Sequence, residues 1–156
     1  MEASASEGKY VGKELVQQFA TFYVGDLLFG IDVMQVQEII RYQAMTPVPL
    51  SANTVEGLIN LRGQIITAID LRKRLDMQER EEGVLPMNVV VRCEDEVVSL
   101  LVDKIGDVLE VKSDQFEEAP RTLEGVSRDV LSGVYKLKDN LLLVLDVKLV
   151  LDVTVN

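Results

Sequence analysis

The sequence predicts a mainly β fold: two small five-stranded β-barrels with short helices, derived from one internal repeat. Three observations carry this. Residues 19–40 align without a gap onto 88–109, and 55–76 onto 131–152, at offsets of 69 and 76. Within both blocks, short runs alternate or are continuously apolar, the pattern of half-buried and fully buried strands. Each copy then closes on an Asp before a short mixed run, Asp70 before LRKRL and Asp146 before VKLVL. An Asp there reads as a helix N-cap, because its carboxylate accepts from the first free N–H groups.

Identities across the repeat are Gly57/Gly133, Leu61/Leu137, Asp70/Asp146, Leu75/Leu151 and Asp76/Asp152. Apolar pairs include Phe22/Val91, Phe29/Val98, Ile31/Leu100, Val36/Ile105 and Ile39/Val108. Two copies of one folding unit follow. The larger second offset places a longer connection in copy two, 110–130 against 41–54.

Expected strands in copy one are 17–24, 27–33, 37–42, 57–62 and 64–70. In copy two they are 87–93, 96–102, 105–111, 133–138 and 141–146. Turn signals separate them at Gly25–Asp26, Arg62–Gly63, Glu94–Asp95 and Asp139–Asn140. At Val33–Gln37 the apolar period lengthens from two to three or four, which predicts a single helical turn. Short hairpin-rich sheets tend to close into barrels, since closure removes exposed edges.

Composition bounds the function. The chain has 156 residues and is 47% hydrophobic, ample for a core. Its net charge of −10 opposes nucleic-acid binding and adhesion to anionic lipid. The longest apolar run, Leu141–Leu145, is too short to cross a bilayer. The start, MEASASEGKY, is polar and lacks a signal-peptide pattern, and residues 1–14 read as a flexible tail. A single Cys, Cys93, permits no internal disulfide, so a reducing cytoplasmic location is expected. Histidine is absent, which removes His-based triads, imidazole proton shuttles and His metal sites. Neither a GxxxxGK[ST] loop nor a GxGxxG fingerprint occurs. An enzyme built on Asp70, Asp76, Asp146 and Asp152 is a competing idea, but capping already accounts for Asp70 and Asp146.

One stretch is more specific. Residues 55–72 contain Gly57, Asn60-Leu61-Arg62-Gly63 and Asp70-Leu71-Arg72. This resembles the hallmark GxxNLRGxxxxxxDLR of the CheW family. FGIDVMQVQEII upstream, VDKIGDVL around 102–109 and the closing LLLVLDVKLVL resemble further family blocks in the same order. The resemblance spans about 15–153. It implies two SH3-like five-stranded barrels in one CheW-like domain, with lobes of about 25–84 and 15–24 plus 85–153. It also implies a non-catalytic, cofactor-free adaptor of bacterial chemotaxis, without receiver or phosphotransfer domains. Such adaptors bridge the cytoplasmic tips of transmembrane chemoreceptors to the regulatory domain of the histidine kinase CheA in receptor arrays. A coupling protein of a non-motility chemosensory system is the alternative within the family.

For a receptor groove between the lobes the candidates are Val33, Val36, Glu38, Gly57, Asn60, Arg62 and Ile105; Val33 and Val36 match positions that the resemblance assigns to receptor contact. Ile39 reads as core. Arg62 is expected to pair with Glu38, because a guanidinium fork holds a carboxylate bidentately; Asp107 and Lys138 repeat the charge pattern. Gly57 and Gly133 mark either a backbone too tight for Cβ or the close approach of a partner. For the kinase, the candidates are Tyr42, Met45, Pro47 and Val48, in a Pro-stiffened apolar loop.

Overall fold

The computed structural model describes residues 9–11, 14–120 and 126–152. In chain order the strands are β1 (Lys9–Val11), β2 (Glu14–Val24), β3 (Leu27–Asp32), β4 (Val36–Ile40), β5 (Val55–Leu61) and β6 (Gln64–Asp70). Helix α1 (Leu71–Arg74) follows. Then come β7 (Met87–Cys93), β8 (Glu96–Val102), β9 (Lys104–Lys112), β10 (Phe116–Glu117), β11 (Leu131–Lys136), β12 (Leu141–Leu145) and α2 (Val147–Leu151). All ten expected strands are present, with ends shifted by a few residues. The expected helical turn is a 3-10 turn at Val33–Gln35, capped by Asp32, whose side chain accepts from Met34 N at 2.9 Å. Asp70 and Asp146 cap α1 and α2, accepting from Arg72 N (3.1 Å) and Leu149 N (3.3 Å). The strands β1 and β10 were not expected. Within the supposed tail 1–14, Lys9–Val11 pairs antiparallel with Glu14–Val16; residues 1–8, 12 and 13 lie outside the described residues.

Two sheets form. One has five strands in the order β4-β7-β8-β6-β5. The other has seven, in the order β1-β2-β3-β12-β11-β10, with β9 also paired to β2. Sheet membership corrects the expected lobe boundaries. Cuts at 24/25 and 84/85 would keep β3 with β4–β6, and β7–β8 with β9–β12. Instead β3 pairs with β2 and β12, while β7 pairs with β4 and β8 with β6. Each copy of the repeat gives its first two strands to the other copy's sheet. The chain crosses between sheets after Asp32 and after Val102.

The exchange is symmetric to the residue. Parallel pairing sets Phe29 beside Leu143 and Val98 beside Thr67, the same pair at the two offsets. Register shifts recur at equivalent places, between Val55/Gly57 and between Leu131/Gly133. Each lobe is also closed by the chain that follows its third strand. Thr46 bridges to Leu58, and Glu117 pairs with Val134 at the equivalent point.

The alternation along these strands explains their continuous apolar runs. Leu142 and Val144 face a cluster confined to the seven-stranded sheet, with Phe19, Leu28 and Tyr135. Leu143 and Leu145 face the opposite way, into a larger core shared by both sheets, with Phe22, Phe29, Ile69, Val91 and Leu100. Ile59, Ile66, Ala68, Val90 and Leu101 form the counterpart cluster of the five-stranded sheet. With apolar partners on both faces, a strand needs no polar alternation.

Both equivalent glycines sit under the closing segments. A Cβ at Gly57 would stand 2.8 Å from Thr46 O and 3.1 Å from Met45 Cβ; one at Gly133 would run into the Phe116 ring and stand 2.6 Å from Glu117 O. Of the two roles open to Gly57, crowding by its own chain is the one the geometry supports, and the residue is buried. We expect Gly57→Ala and Gly133→Ala each to destabilise by about 1–3 kcal/mol, read as a lower midpoint in thermal unfolding. Unchanged midpoints would contradict the crowding.

Candidate functional site

The NLRG stretch is the tip of the β5–β6 hairpin. Leu61 and Gln64 end the strands, leaving Arg62 and Gly63 as a two-residue loop with φ of +51° and +86°. Two successive positive φ values make a type I′ turn, which matches strand twist but strains a non-glycine residue. Asn60 offsets this: its Oδ1 accepts from Gly63 N at 2.9 Å. Asn60 is therefore engaged in holding the turn. Leu61 anchors the tip by packing on the inner cluster of the five-stranded sheet.

Held this way, Arg62 donates from Nη2 to Glu38 Oε2, forming an ion pair. Glu38 lies on β4 and Arg62 follows β5, the two end strands of the five-stranded sheet. The pair thus ties the two margins of that sheet together. The second copy lacks it. There the regular ladder stops one pair earlier, at Lys136 and Leu141, with Leu137 N donating to Asn140 O at 2.8 Å across the tip, and Lys136 rather than Lys138 finds a carboxylate, Glu117 at 3.3 Å. Among the described residues Asp107 and Lys138 make no ion pair.

The remaining groove candidates divide. Val36 and Ile105, equivalent across the repeat, are half-buried and pack against the margin of the shared core. Val33 is half-buried on the 3-10 turn, beside Met34, which is 71% exposed. Gly57 is covered by Thr46 and offers no free surface. Ile39 is not core: it is 40% exposed, and its equivalent Val108 is 57% exposed. The register shift between Val36 and Glu38 inserts one residue, so Val36 and Ile39 pair with Val91 and Val89 on one face, yet Ile39, nearer the end of the strand, stays exposed. The sequence pattern could not reveal the insertion, because a bulge leaves no mark in hydrophobicity.

In the candidate kinase loop, Tyr42 and Pro47 are exposed and Val48 is half-buried. Met45 instead packs inward on the cluster around Ile59 and Val90. Leu50, which has a positive φ of 62°, is fully exposed.

Sequence reasoning missed a polar junction between the sheets. Asp103 sits where the chain leaves β8 for β9. Its carboxylate accepts from Arg72 Nε (3.2 Å) and Nη2 (2.6 Å), from Arg80 Nε (3.1 Å) and from Gly25 N (2.7 Å). Gly25 is the β2–β3 turn of the other sheet, and Asp103 N donates to Tyr23 O at 3.0 Å. Burial pushes the Asp103 carboxyl up, but the Arg72 and Gly25 hydrogen bonds and the two guanidinium charges prevail and leave it lowered. Asp70 moves the other way: burial raises it, and Arg80, 3.7 Å away, only partly compensates. The DLR part of the hallmark was the available signal, since an Arg two residues after a buried capping Asp needs a carboxylate partner.

The domain is thus two strand-exchanged β-lobes, one with its margins tied by an ion pair, with exposed apolar residues nearby. The family profile described as CheW-like domain matches residues 18–155. A chemotaxis protein CheW of Treponema pallidum is 34% identical over 134 residues, covering 83% of this chain and 79% of that protein. The CheW of Bacillus subtilis is 34% identical over 139 residues, covering 87% of each. Among solved structures, the scaffolding protein TtCheW of Thermoanaerobacter tengcongensis superposes with a TM-score of 0.75 at 25% identity, covering 84% of this chain and 89% of that one. The chain belongs to the CheW family of chemotaxis coupling adaptors.

The junction carries a pH signature. A lowered carboxylate contributes stability above its unfolded pKa of about 3.9 and loses it as pH falls through the folded value. Asp103→Asn should be less stable than the parent at neutral pH. It should also lose less between about pH 4 and pH 2. Denaturant titrations across that range check this, and parallel pH curves for the two proteins would refute it.

Proposed function

We propose that this adaptor couples the cytoplasmic tips of chemoreceptors to a CheA-type histidine kinase without catalysing a reaction itself. Family membership across residues 18–155 is the observation that carries this reading. The receptor, a helical hairpin at its tip, lies against the margin of the shared core, with its apolar side chains against Val33, Val36 and Ile105. Ile39 and Val108 extend that apolar surface. Arg62 and Glu38 act as one unit that fixes the wall, while Gly57 and Asn60 support it from within. The kinase regulatory domain takes the 41–54 loop, through Tyr42, Pro47 and Val48, so that one molecule holds both partners. The protein works in the cytoplasm, gathered at membrane receptor arrays; no helix among the described residues is long and apolar enough to cross a membrane.

Capture of the cognate kinase and receptor fragments, singly and together, tests the scheme; failure to hold both at once would end it. A double-mutant cycle separates the roles. Glu38→Ala and Arg62→Ala should each weaken receptor binding, and the double variant should be little worse than either single one. Additive losses would break the pairing. Val48→Glu should weaken kinase binding about ten-fold or more while leaving receptor binding intact. Met45→Glu is a poor probe, because it places a carboxylate against an apolar interior.

A further inference from the structure

The loop from α1 to β7 returns across the same side of the five-stranded sheet as residues 42–45. Between them opens a cleft of about 330 Å³. Met45, Pro86 and Leu101 contribute apolar surface, with Pro86 and Leu101 buried. Val84 and Leu85 line it while remaining 50% and 63% exposed, an unusual state for two adjacent large aliphatic residues. Tyr42 also lines it.

The polar lining is lopsided. Its cations are already engaged, Lys73 with Glu56 at 3.4 Å and Arg80 with Asp103 and Asp70. Glu79 and Glu81 also line the cleft, and among the described residues neither makes an ion pair. The cleft therefore joins exposed aliphatic residues to two exposed carboxylates, Glu81 already in the field of the Arg72 guanidinium, on a chain of net charge −10.

We propose that this cleft is part of the kinase-docking surface and receives a segment in which a bulky apolar side chain is flanked by lysine or arginine. The inference rests on the reading that the kinase docks at the 41–54 loop. The apolar side chain covers Val84 and Leu85 and meets Met45 and Leu101. The flanking cations approach Glu79 and Glu81. Like charge repels an acidic segment, and a wholly apolar one offers neither carboxylate a counter-charge as water is excluded. Sequence alone gave no access to this composite surface, because residues 42–45 and 79–86 meet only in the fold.

The test measures binding of the purified full-length kinase at about 50 and about 300 mM salt, where screening of exposed charges differs strongly. Wild-type binding should weaken several-fold at the higher salt. The Glu79→Gln/Glu81→Gln variant should bind about three- to ten-fold more weakly at low salt and show little salt dependence. Leu85→Ser should weaken binding at both salt levels, with an unchanged thermal midpoint confirming the fold. Wild-type affinity and salt slope in the double variant would overturn the inference. If Val48→Glu and Tyr42→Ala still weaken kinase binding in that case, only the inference fails; if they do not, the kinase-docking reading fails with it.

Discussion

Two parallel strand contacts, β3 on β12 and β6 on β8, hold this molecule in its form. Each joins a strand from one copy of the repeat to a strand from the other. With the antiparallel pairings of β2 on β9 and β7 on β4, they seat the first two strands of each copy in the other copy's sheet. The shared core depends on them as well, since Phe22 and Phe29 reach Leu143, and Val98 and Leu100 reach Ile69, only because the hairpins have changed sheets. The Asp103 junction sits at one of the two chain crossings. It places a charge-assisted network where the backbone turns from one sheet into the other.

Much of this was legible. The strands and their order, both helix caps and the single turn after Asp32 follow from periodicity and from Asp placement. The Glu38–Arg62 pair followed from a fork-shaped donor at a hairpin tip. The pairing of strands did not. An offset between copies says that two segments share a conformation, but not which partner completes each sheet. In a strand such as Leu141–Leu145, apolar on both faces, the pattern gives no clue to which core each face joins. Ile39 was misplaced for a related reason: its apolar type fits a core position, but it is 40% exposed near the end of β4. Met45 proved partly buried, a state that the apolar loop pattern does not reveal.

The two lobes differ most at their hairpin tips. In copy one a two-residue loop forces Arg62 into a left-handed conformation, and Asn60 secures the turn so that the guanidinium reaches Glu38. In copy two no residue of the tip has a positive φ, and Lys138 has no equivalent partner among the described residues. The two copies thus share their strand registers and differ at the hairpin tips. At Gly57 and Gly133 the lobes share one constraint, since neither position leaves room for a Cβ beneath its closing segment. Surface loops carried no such constraint.

The exchange of hairpins has a mechanical consequence. A protein that grips one lobe pulls on strands whose chain continues directly into the other, through Asp32–Val33 and through Val102–Lys104. No slack linker separates the two halves, and the largest block of packed side chains belongs to both. The continuous chain and the shared core give a displacement imposed at one face a direct path to the other. For a component standing between two larger assemblies, that makes the molecule a strut.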